Sequence, residues 1–151
     1  MNAFRFIFLL SLLTFFSKAQ SDIYIKVIKN IQQNYPEINL SNKLLAVNVW
    51  SESNLDSWEA NKQFDKVYKI YDVAKLKGGT KGLICVAINK EGENASVILN
   101  NNGITKLIQL SKIDASLCPI SNYVFDDQGK EVYKNILPDK IFESMHKLIT
   151  R

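Results

Sequence analysis

Histidine and cysteine are nearly missing from this 151-residue chain, which has one His, His146, and two Cys, Cys85 and Cys118. That scarcity excludes much chemistry. The two cysteines have no metal-ligand spacing and are too few for a disulfide scaffold. His146 lies beside the apolar stripe of a terminal segment, and no Ser or Cys can be assigned to it as a nucleophile. Asp126 and Asp127 stand with Gly129 in a turn sequence, where Asp is expected for its turn-forming side chain. Calcium needs more oxygen ligands than this spacing offers. No metal and no cofactor are expected. An excess of charge of one sign is also lacking. Of 19 basic residues, Arg5 and Lys18 fall near the start, and without them 17 remain against 15 acidic ones. The signs are mixed along the chain, so there is no footprint for nucleic acid and none for a membrane surface. Internal repeats, low-complexity segments and Pro/Gly/Ser linkers are absent too.

Long apolar runs are scarce. The longest is FIFLLSLLTFF, after Arg5 and before Ser17-Lys18-Ala19. It is shorter than the roughly 18 residues a spanning helix needs, and its order of charge, apolar run and small residues is that of a secretory signal peptide. Residues 1–20 are expected to be that peptide, with no cysteine placed to carry a lipid anchor. Residues 21–151 then make a single domain, exported in soluble form to a periplasm or the outside, where a disulfide is chemically permitted. Asn39 and Asn94 match the N-glycosylation acceptor pattern, which short sequences meet by chance.

Periodicity supplies the elements. Tyr24, Val27, Ile28, Ile31 and Tyr35 recur at helical spacing, so 21–42 reads as a helical extension whose helix ends before Pro36. LLAVNVW is a nearly continuous apolar run with β-branched members, as expected of a strand covered on both faces. Ala60, Phe64, Val67, Tyr68, Tyr71 and Ala74 form the stripe of a second helix, with Gly78 and Gly79 available as its C-terminal cap. LICVAI is a second buried strand, and strand–helix–strand makes a right-handed parallel unit. ENASVILNNNGI allows a short helix through Ala95, Ile98 and Leu99 or a returning strand; the helix is preferred. SNYVFDDQGKEVYKN reads as a hairpin. Pro138 opens a last helix with Ile141, Phe142, Met145, Leu148 and Ile149 on its apolar face.

LLAVNVWSESNLDSWEANKQF, GLICVAIN and CPISNYVFDDQGKEVYKNI, in that order, resemble the thioredoxin-like superfamily. The closest likeness is to the exported bacterial TlpA-like thiol–disulfide oxidoreductases. The resemblance implies an α/β fold with a central mixed sheet, a parallel βαβ unit plus a C-terminal hairpin, flanked by helices. It also implies an active-site turn after the first strand and a cis-proline loop before the hairpin. Trp50 takes the aromatic position of the family's turn, Asn54 and Ser57 fall where its two cysteines would be, and Pro119 falls at its cis-proline. The Cys-x-x-Cys motif itself is absent.

Disulfide exchange needs a thiolate and a second thiol to release the mixed disulfide. Asn54 and Ser57 supply neither. Asn is a good N-cap residue, and Ser53 with Asp56 offers an alternative cap. The dithiol positions are therefore degenerate, and no catalytic residue is expected there. The leading expectation is a non-catalytic surface for an envelope or secreted protein or peptide, built from Trp50, Ser53, Asn54, Trp58, Cys118, Pro119 and Ile120. The alternative is a redox protein working through the single thiol of Cys118. Cys85 is expected in the core, with the central strand separating it from Cys118 and both thiols free.

Overall fold

A computed structural model describes residues 21–72, 75–79, 82–91, 95–110, 113 and 118–149. The signal-peptide reading of 1–20, Ala74 and the Asn94 acceptor lie outside them. No helix among the described residues is long and apolar enough to cross a membrane.

Helix α1 (Asp22–Asn34) buries Ile23, Val27 and Ile31, three positions one helical turn apart. Strands β1 (Leu44–Trp50) and β2 (Leu83–Asn89) are buried at every position. They run parallel, with Leu44 opposite Leu83 and Trp50 opposite Asn89. Helix α2 (Leu55–Tyr71) is the crossover between them. Helix α3 (Ala95–Asn101) confirms the preferred reading of its segment. It leads to β3 (Ile108–Gln109), parallel to β2. Strands β4 (Ser121–Phe125) and β5 (Glu131–Lys134) form the antiparallel hairpin, β4 pairing with β1. Helix α4 (Pro138–Lys147) follows, with Pro in its first turn. The sheet order is β3-β2-β1-β4-β5.

Alternation along β1 divides the core in two. Leu44, Ala46 and Trp50 pack with α2, α3, α4 and Cys85 on one face. Leu45, Val47 and Val49 pack with α1, Cys118, Tyr123 and Phe125 on the other. This is the period-two geometry of a pleated strand with helices on both sides.

Three features differ from the sequence reading. Helix α2 stops at Tyr71, capped by Asp72 in a helical conformation, and not at the glycines. Gly78 and Gly79, with φ of 81° and 90°, instead bend a separate turn. That turn is needed because buried Leu76 bridges Ile149, and the Lys77 N–H donates to the Leu148 carbonyl at 2.6 Å. Strand β3 was not anticipated, because two half-buried residues carry no alternation to read. Finally, no peptide bond among the described residues is cis, so Cys118–Pro119 is trans. Trans is the lower-energy isomer of such a bond by about 0.5–1 kcal/mol, and the loop is held here by Lys90 Nζ donating to the Cys118 carbonyl at 2.8 Å.

The hairpin turn rests on one side chain and one glycine. Asp126 Oδ1 accepts from the Gln128 and Lys130 N–H groups at 3.0 and 2.8 Å. Gly129 has φ of 76°, and a Cβ there would lie 2.5 Å from the Tyr24 ring of α1. Gly103 has a similar φ of 74° but open space around it. Gly103→Ala should therefore cost only the left-handed penalty, about 1–2 kcal/mol. Gly129→Ala should cost distinctly more in urea unfolding, because Tyr24 must move off Phe125, its ring neighbour at 5.3 Å. Equal losses would show that the Tyr24 ring yields freely.

Candidate functional site

The turn between β1 and α2 is closed by hydrogen bonds from within and from β2. Asn54 is the N-cap of α2, extended at φ −110° and ψ 100°, and its Oδ1 accepts from the Ser57 N–H at 2.8 Å. The Ser57 hydroxyl donates back to the Asn54 carbonyl at 2.8 Å and accepts from the Ser51 N–H at 3.2 Å. Glu91, just past β2, accepts from the Ser51 hydroxyl and from the Glu52 N–H. Ser53 is not the cap: its hydroxyl meets that of Ser51 at 2.8 Å. Asp56 lies in the first helical turn, where a negative charge suits the helix dipole. Glu59 follows, its carboxyl held below the usual range chiefly by a hydrogen bond from Lys62, with a smaller contribution from Gln63.

Beneath the turn lies a layer of asparagines. Asn48, in the middle of buried β1, donates to the Ser57 carbonyl and to Asn61 Oδ1, both at 2.8 Å. Asn48 Oδ1 and Asn61 Nδ2 are buried without a hydrogen-bond partner among the described residues. Asn122 is paired across the sheet with Asn48. Its side chain donates to the Ile136 carbonyl and accepts from the Ile136 N–H, both at 2.8 Å, as a strand backbone would. That exchange brings 135–138 against the turn. Asn48, Asn54, Ser57, Ile120, Asn122 and Leu137 are among the residues that line the resulting cavity, about 150 Å³ in volume.

Asn54 and Ile120 of the expected surface thus come together with Ser57, the second degenerate dithiol position, and Pro119 is exposed beside Ile120. Trp50 does not reach this surface: it is fully buried, its ring 5.2 Å from that of half-buried Trp58. Cys118 is also inside, 4% exposed, in the cluster on the α1 face of the sheet. Cys85 is buried on the opposite face with its Sγ 3.8 Å from the Phe64 carbonyl. Burial pushes its thiol well up, and Asp65 adds to this. Both cysteines are free. The lone His146 has Nδ1 2.7 Å from the Tyr71 hydroxyl, away from the cavity. Among the described residues no group of three or more His, Cys, Asp or Glu could hold a metal ion.

The sequence reading passed over Asn48, Asn122, Asn135, Leu55 and Leu137. One signal was available: an amide in the middle of LLAVNVW is anomalous, because a buried polar side chain must be bonded or recruited.

No protein-family model matches the chain, and no curated protein sequence does. Solved structures do. The thioredoxin domain of a thiol-disulfide oxidoreductase from Bacteroides vulgatus superposes with a TM-score of 0.55 at 13% identity, covering 72% of this chain and 80% of its own. A thioredoxin-like protein from Parabacteroides distasonis gives 0.52 at 14%, covering 72% and 83%. A thiol:disulfide interchange protein from a Bacteroides species gives 0.51 at 16%, covering 70% and 72%. The fold is therefore thioredoxin-like, as the sequence pattern implied. At these identities the likeness is one of fold, and the site is read from its own residues.

Proposed function

We propose that this chain is an exported thioredoxin-like protein that binds a protein or peptide partner of the cell envelope or exterior without exchanging disulfides. One observation carries the reading. The two positions that correspond to the dithiol are both committed to the helix cap, Asn54 Oδ1 to the Ser57 N–H and the Ser57 hydroxyl to the Asn54 carbonyl. What the turn offers outward is a fixed shape bordered by exposed apolar side chains, Leu55, Ile120 and Leu137. Export is supported by the charge, apolar run and small-residue order of residues 1–20. The single-thiol alternative needs access to Cys118, whose side chain is buried in the cluster on the α1 face of the sheet.

Crosslinking capture from the envelope of the producing cell tests this. A partner should be recovered with the wild type and reduced at least about tenfold by Ile120→Asp or Leu137→Asp, as for a residue central to an interface. Val97→Asp, at an exposed apolar position on α3, should leave capture intact. Capture indifferent to the first two substitutions would remove the proposed surface.

A further inference from the structure

We propose that the partner segment is a peptide in which a large apolar side chain is flanked by Lys or Arg. The inference rests on the docking reading above and names the chemistry of the occupant.

A groove of about 450 Å³ runs between the first turns of α2 and α4. Leu55 and Leu137 line it and are 75% and 63% exposed. Large apolar side chains exposed together beside a concavity mark an interaction site more than scattered ones do. The other lining residues include three carboxylates, Asp56, Glu59 and Asp139. Glu59 is paired with Lys62 at 2.9 Å. Asp56 and Asp139 have no ion pair among the described residues, and Lys140, next to Asp139 on α4, lies 3.9 Å from Glu143. Each helix start contributes about half a positive charge, so one full carboxylate at each leaves the groove negative. An anionic lipid surface or an acidic peptide is disfavoured by that sign.

The groove adjoins the asparagine-lined cavity, with which it shares Asp56, Leu137 and Pro138. The apolar wall and the carboxylates without an ion pair are together met by a short peptide: an apolar anchor between the leucines and a basic neighbour at the carboxylates.

Fluorescence anisotropy on the full chain tests this with three labelled octapeptides carrying central Leu-Leu flanked by Lys, by Ser or by Glu. The Lys-flanked peptide should bind at least about tenfold tighter than the Glu-flanked one, with Ser between. The difference should fall to within about twofold in Asp56→Asn/Asp139→Asn, and should shrink as salt rises from about 0.05 to about 0.5 M. Leu137→Asp should weaken all three. Equal, Leu137-dependent binding of the three peptides would overturn the charge preference and leave the docking reading standing. No saturable binding of any peptide, with partner capture still dependent on Leu137, would overturn the peptide chemistry alone. Concentration-dependent self-association abolished by Leu137→Asp would replace the peptide with a second copy of the chain. Loss of peptide binding together with surface-independent capture would remove both readings.

Discussion

Replacing Asn54 and Ser57 together by cysteine should raise thiol–disulfide exchange well above the wild-type rate. The N-cap position of α2 looks onto the unpaired N–H groups of the first turn and its positive dipole end. A thiol there should have its pKa drawn from about 8.5 toward about 7, which raises the thiolate at neutral pH from a few per cent to about half, an increase in reactive species on the order of tenfold. Position 57 follows one turn later, with its Oγ already 2.8 Å from the Asn54 carbonyl, so the resolving thiol starts close. Loss of the Asn54 cap should lower stability of the reduced form by about 0.5–2 kcal/mol. Insulin reduction is the measurement, with wild type and Cys118→Ser alongside. Both controls should give the same background rate. A wild-type rate that falls on Cys118→Ser would establish the single-thiol reading instead. A folded double-cysteine variant with titratable thiols and no exchange would show that the turn has lost the shape as well as the chemistry.

The second large effect is on stability. Trp50 stands at the end of β1 with no solvent exposure, stacked obliquely on Trp58, so it supports the turn from below. Trp50→Ala should cost about 3–5 kcal/mol in urea unfolding, as large-to-small changes at aromatic core positions do. That is a substantial part of the roughly 5–15 kcal/mol that holds a domain folded. Trp50→Phe should cost far less, because Trp50 Nε1 has no hydrogen-bond partner among the described residues to lose. A Trp50→Ala loss below about 1 kcal/mol would contradict its place in the core.

Much of the fold was legible because it is periodic. The α1 and α4 stripes and the nearly continuous apolar runs of β1 and β2 each say which faces are covered. What was not legible is local irregularity set by distant contacts. Helix α2 ends early because Leu76 is wanted at Ile149, far along the chain. The site was half readable. Asn54 and Ser57 are neighbours in sequence and their capping roles follow from residue type. The other wall is brought up by Asn122 binding the backbone of Ile136, a contact between side chain and remote main chain that no spacing announces. Cys118 illustrates the same limit in reverse. Sequence places it beside Pro119, yet Cys118 is buried in the cluster on the α1 face of the sheet while Pro119 and Ile120 are exposed.

The strand order has a bearing on how this chain avoids its own kind. Its outer strands are β3, two residues long, and β5, four residues bounded by Glu131 and Lys134. Short or charge-flanked borders give little unpaired backbone for another chain to template upon. The long, buried and mostly apolar strands most prone to cross-pairing, β1 and β2, are enclosed on either side by neighbours. A visitor gains little by extending the sheet, and its hold must come from side chains at the mouth of the cavity.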